Sequence, residues 1–278
     1  AKGGLKPDPS RCRVFGVAPL QYIGGEIPVP PETYERVEVI DPEKGTVEKL
    51  IYIEEPAGLA FNNNGTLYAI SDNKIKKVDF TEKGEHKTII ADLKKPLCIC
   101  CDNTGNIYVF DSAPERRQIR VYSGDGEFIR NFNKPGGYRA GKWNPMLLHR
   151  VTSMMVDAED KLWVTDWVVW PKRVACFKLD STHIRDYLGP TEYGGGGTLD
   201  PWDLTKYLYG PMQFELDWEN RKTKIKNITF DQDKLGGFES PTHLAGERAI
   251  LYRDRRYLVT RPCASKHLMP VGVVYLYN

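Results

Sequence analysis

Apolar and polar residues alternate along most of this chain in short runs, and no stretch keeps a helical period for long. A period of two is that of a strand with one face buried. It is plain in 118–122 (QIRVY), with Ile119 and Val121, and in 212–218 (MQFELDW), where Met, Phe, Leu and Trp stand at alternate positions. Between such runs stand Asn64-Gly65, Thr104-Gly105 and Asp125-Gly126, pairs that favour tight hairpin turns. The pattern predicts an all-β chain of antiparallel meanders.

The runs also repeat. Residues 56–61 (PAGLAF) and 65–72 (GTLYAISD) recur about 40 positions on as 96–102 (PLCICCD) and 105–111 (GNIYVFD), and again as 151–157 (VTSMMVD) and 161–166 (KLWVTD). A fourth strand confirms the register, 128–132 (FIRNF) against 183–187 (HIRDY). Removing the Pro- and Gly-rich insert 134–149 restores the period between the second and third copies. A lone four-stranded sheet would leave both faces wet, so such units must stack around an axis.

Weaker copies flank these three: strands at 13–17, 35–40 and 47–53, a hairpin over 212–218 and 222–230, and strands at 241–244, 256–260 and 271–277. The expected fold is a β-propeller of four-stranded blades, six in number, with five as the alternative. It forms a single domain over 1–278 with insert loops at 134–149 and 190–210, unless the chain is a fragment of a longer protein. The last blade lacks an outer strand, which 13–17 would supply.

The units PxGLAF, GxLYxxxD and R(I/V)xxF resemble NHL repeats, shared in softened form by six-bladed propellers of the gluconolactonase type. The likeness covers 56–187. Segment 187–197 (YLGPTEYGGGG) also resembles propeller segments of large exported bacterial proteins without assigned function, which implies a secreted or periplasmic home. NHL-type propellers include interaction modules, zinc-dependent lyases and calcium-dependent lactonases, so the fold alone selects no activity. Where the resemblance implies zinc-binding histidines in a lyase, this chain has Ala57, Leu97 and Thr152. The lactonase likeness implies a calcium site, for which Glu55, Asn144 and Asp166 are the residues at hand.

Charge narrows the partners. Thirty-nine Lys and Arg against thirty-seven Asp and Glu give a formal net charge of +2, with the signs interspersed. That balance predicts no nucleic-acid partner. No apolar run reaches the roughly 20 residues of a membrane-spanning helix, so no membrane insertion is expected. Cys98 and Cys100 should point to one side of a strand and Cys101 to the other, as small buried hydrophobes. A disulfide between Cys12 and Cys263 is the alternative for the remainder.

Candidate chemistry lies in the inserts. They carry Tyr138, Arg139, Trp143 and His149, then Glu192 and Tyr193, and should overhang the face where loops enter first strands and leave second ones. Trp167, Trp170 and Arg261 fall at the same end by register. Aromatic rings beside charged groups suit a carbohydrate or protein ligand. Asp111 and Asp166 share one repeat position and are read as caps of the turn that follows each. They are also the candidate ligands of a calcium or other divalent ion. No Gly-x-Ser-x-Gly is present, and the glycines at 194–197 precede no Lys-Ser/Thr. The expected function is therefore non-catalytic binding without a cofactor, with a metal-dependent hydrolase or lyase as the alternative.

Overall fold

The computed structural model describes residues 14–17, 36–41, 43–80, 85–167, 172–189, 198–209, 212–228, 244–262 and 273–276. Regular structure there is entirely strand, arranged in six antiparallel sheets. The first holds β1 (Val14–Val17), β2 (Arg36–Asp41) and β3 (Thr46–Tyr52). The second is β4 (Pro56–Phe61), β5 (Leu67–Ser71), β6 (Lys74–Lys77) and β7 (Lys87–Ile90). The third is β8 (Pro96–Cys101), β9 (Ile107–Asp111), β10 (Gln118–Tyr122) and β11 (Phe128–Asn131). After the short β12 (Gly141–Lys142) comes the fourth: β13 (Val151–Val156), β14 (Lys161–Trp167), β15 (Lys172–Lys178) and β16 (His183–Leu188). The fifth runs β17 (Thr198–Asp200), β18 (Asp203–Tyr209), β19 (Met212–Asp217) and β20 (Lys222–Ile228), with β12 added at the β20 edge. The last is β21 (Leu244–Tyr252), β22 (Arg255–Pro262) and β23 (Val273–Leu276).

First strand β8 lies against β4 on one side and β13 on the other, and each of the three gaps among the first four sheets has its own core. Val37, Ile51, Leu67 and Ala69 fill the first gap, Ile70, Ile75, Ile99 and Val109 the second, Phe110, Phe132, Leu162 and Phe177 the third. This is the stacking of a β-propeller, in which each sheet covers its neighbour. Fully buried rings such as Phe110 and Phe177 contribute about 1.5–3 kcal/mol each. Cys98 and Cys100 face the third gap and Cys101 the second, as the alternation predicts. Cys12 and Cys263 lie outside the described residues.

The turns between first and second strands are built alike. Asn62 Oδ1 accepts N–H bonds from Asn64 and Thr66 (3.0 and 2.9 Å). Asp102 Oδ1 does so from Thr104 and Asn106 (2.9 and 2.8 Å), and Asp157 Oδ1 from Glu159 and Lys161 (2.9 Å each). Each turn then needs one left-handed residue, supplied by Gly65 (φ 78°), Gly105 (φ 91°) and Asp160 (φ 56°). Side chains staple turn to turn: Asn63 Nδ2 donates to Asn103 O (3.0 Å) and Asn103 Nδ2 to Asp157 O (3.0 Å).

The sequence reading departs from the structure in four places. Strand β1 pairs with β2, Val14 opposite Ile40, rather than completing the last sheet, because the following run alternates in step with it and lies closer along the chain. The expected insert 190–210 is strand over 198–200 and 203–209. The run DLTKYLY of β18 alternates well enough to pair with both neighbours, but the glycines before it read as loop. Strand β7, with Thr-Ile-Ile as its only signal, was not expected. The first strand of the last sheet spans Leu244–Tyr252, later than 241–244, whose first three residues lie outside the described set.

Candidate functional site

At the end of the sheets opposite these turns, Ser71 and Asp111, the last residues of β5 and β9, and Asp166, the penultimate residue of β14, occupy one register position. Ser71 pairs with Pro56, Asp111 with Pro96 and Asp166 with Val151, and all three side chains are buried. Ser71 Oγ donates to Glu54 O. Asp111 accepts from Lys94 N (2.9 Å), Lys95 N (3.0 Å) and Arg116 Nη1 (2.5 Å), with Ala113 N at 3.3 Å. Burial opposes its ionisation, but these donors outweigh that and hold its carboxyl below the usual value. Asp166 accepts from His149 N (3.0 Å), Arg150 N (2.7 Å) and the Tyr138 hydroxyl (2.6 Å).

Asp111 therefore caps both the loop that enters the first strand and, through Ala113 and Arg116, the turn that follows the second, whereas the donors to Asp166 come from the entering loop and the insert. The second strand ends where the first begins, so its last side chain lies beside incoming N–H groups that have no ladder partner. A carboxylate offers about four lone-pair sites, and each of these two is occupied by protein donors. Neither fits an ion site as folded. Among the described residues no group of three or more His, Cys, Asp or Glu is gathered around a possible ion.

The insert 134–149 is fastened onto the fourth sheet through this slot. Tyr138 is 1% exposed. Burial and the neighbouring Asp166 charge push its hydroxyl well above the ordinary phenol value, so it stays protonated and donates. Arg173, also buried, stands opposite Asp166 in the ladder. Its guanidinium binds Asp186 (Nε, 2.7 Å), Pro145 O (Nη2, 2.7 Å) and Leu147 O (Nη1, 3.2 Å), and lies 5.1 Å from the Trp143 ring. The planar fork holds two insert carbonyls and one carboxylate at once, which a lysine ammonium does not reproduce.

The remaining predicted site residues take different places. Trp143 is half-buried against the Met212–Ile225 cluster, on which Leu188 and Phe214 also pack, and its ring lies 5.1 Å from that of Tyr138. His149 stacks on Tyr138 at 5.6 Å, with Nδ1 3.4 Å from Arg117 Nη1. Arg139 is exposed and folds over Gly136, where an added Cβ would meet its guanidinium. Tyr138, Trp143, His149 and Asp166 are thus brought together, while Asp111 sits in the neighbouring sheet with its own donors. Trp167 and Arg261 are described as strand backbone, paired with Lys172 and Ala245. Their side chains, and Trp170, Glu192 and Tyr193 altogether, lie outside the described residues.

Beside the insert opens a cavity of about 240 Å³ lined by Thr152, Thr165, Asp166, Lys172, Arg173, Val174 and Gly189. The Thr152 and Thr165 hydroxyls are 3.0 Å apart on its wall. The sequence reading missed Arg173 and this cavity. One signal was available: Lys74 and Gln118 occupy the register position of Arg173 in the sibling sheets, so a polar residue recurs there opposite Ser71 or Asp.

No family model matches the chain, and no curated protein matches it. Among solved structures, a nidogen/laminin complex is similar at 19% identity over 82% of this chain and 86% of that one (TM-score 0.45). Virginiamycin B lyase of Staphylococcus aureus is similar at 13% over 82% and 71% (TM-score 0.41). A gluconolactonase of Xanthomonas campestris is similar at 16% over 47% and 41% (TM-score 0.36). Among the described residues no helix is long and apolar enough to cross a membrane. What the strands themselves establish is an all-β propeller in which several of the sheets are four-stranded antiparallel units.

Proposed function

We propose that the chain is a non-catalytic binding propeller, exported from the cytoplasm, which presents the insert-bearing end of its third and fourth sheets to a carbohydrate or protein ligand. One observation carries this reading. The Tyr138–Asp166–Arg173 network clamps an irregular insert onto a rigid sheet beside an open cavity, the arrangement in which loops on a stiff scaffold serve recognition. The two carboxylates at this end, occupied by backbone donors, favour binding over metal chemistry. The resemblance of 187–197 to exported propeller segments supports the location.

Two measurements test it. A glycan and protein array should show a ligand that Trp143→Ala binds at least tenfold more weakly while its circular dichroism is unchanged. A stoichiometric divalent ion in protein purified without chelator, lost in Asp111→Asn and Asp166→Asn, would instead support a lactonase- or lyase-like hydrolytic site.

A further inference from the structure

The balanced charge of the sequence conceals a local separation. Cationic residues distant along the chain are placed at the insert-bearing end. Lys95 lies at the Asp111 slot, Arg117 packs with His149 on Gly137, Arg139 folds over Gly136, Arg150 enters at the Asp166 slot, and Lys172 lines the cavity. Lys95, Arg139 and Arg150 are exposed, Arg117 and Lys172 half-buried. Among the described residues near this end, Glu115 is engaged by Lys94, Asp92 by Arg120 and Tyr122, and Asp111 and Asp166 inside their slots. The opposite end of the same two sheets carries exposed Asp125, Glu159, Asp160 and Asp180.

We infer that the insert-bearing end binds an acidic polysaccharide, seating one uronate residue in the Thr152–Thr165–Lys172 cavity and meeting neighbouring carboxylates with Lys95 and Arg139. This rests on the binding reading above and names its ligand class. The cavity volume of about 240 Å³ holds one sugar ring. Paired threonine hydroxyls match ring hydroxyls, Val174 offers a short apolar wall, and the Lys172 ammonium meets a carboxylate. A single-stranded nucleic acid is held by stacking bases on exposed rings, and of the described rings of the insert Tyr138 is buried and Trp143 half-buried beside Arg173.

The test titrates the whole chain with polygalacturonate, alginate, methyl-esterified polygalacturonate, polyglutamate and a single-stranded oligonucleotide. A uronate polymer should bind best and weaken at least tenfold at high salt, as exposed charge pairing requires. Lys95→Glu with Arg139→Glu should weaken it at least tenfold, and Thr165→Val should weaken it severalfold without affecting polyglutamate. Stronger binding of polyglutamate or the oligonucleotide overturns the saccharide assignment. Equal binding of the methyl ester overturns recognition of charge while leaving the binding reading intact, and failure of both uronate polymers overturns the inference outright.

Discussion

The third and fourth sheets solve one problem in two ways. In the third, the buried aspartate at the end of β9 is closed by Arg116 from the loop five residues on. In the fourth, the equivalent Asp166 is closed by Tyr138, twenty-eight residues back in the insert. Gln118 at the start of β10 reaches Asn133 O (2.7 Å) in the loop leaving its own sheet, whereas Arg173 at the start of β15 reaches Pro145 and Leu147. The repeat thus supplies a slot for backbone donors plus one spare acceptor site, and the fourth sheet uses the spare site to anchor an insert. Elaboration at this end needs no new scaffold.

The sharpest way to break the comparison is Arg173→Ala. It leaves Asp186 with His183 as its remaining partner, deprives two insert carbonyls of their donor and should cost about 3–5 kcal/mol, read as a lower denaturation midpoint with faster amide exchange over 138–149. Gln118→Ala, the sibling change, should cost about 1 kcal/mol. Asp166→Asn and Asp111→Asn should each cost about 1–3 kcal/mol, but only Asp166→Asn should loosen the insert.

Acid sharpens the picture further. Asp111 has a folded pKa lowered below its ordinary 3.8, so its contribution is fully present above that value and lost as pH falls through the depressed one. Thermal stability should therefore decline on the acid side of pH 4, and the decline should be shallower in Asp111→Asn. Tyr138→Phe removes one buried hydrogen bond and should cost about 1 kcal/mol. The smallest effect concerns the thiols. Burial pushes Cys98 and Cys101 to about 12, so the native peptide containing 98–101 should resist alkylation at neutral pH and react once the chain is unfolded.

Strands were legible where alternation and turn residues agreed, as in 105–111 and 118–122, because both signals are local. The faces of Cys98, Cys100 and Cys101 followed from the same period. Strand β18 was hidden behind a glycine run, and the pairing of β1 depended on which neighbour it met. At the candidate site, Tyr138 and Trp143 were recognisable as unusual, but which way a ring turns is decided by Asp166 and Arg173, fixed only once β14 and β15 pair. The cationic end was only partly visible for the same reason: Arg139 was placed there by the insert, while Lys95 and Lys172 belong to separate segments that strand register alone brings to one side.

The account stands or falls on which end of the sheets meets the ligand, and amide exchange with and without bound polygalacturonate reads that directly. Slowed exchange at 94–95 and 136–150, with the turns at 102–106 and 157–161 unaffected, is the predicted footprint. Protection of those turns with none in the insert would contradict it.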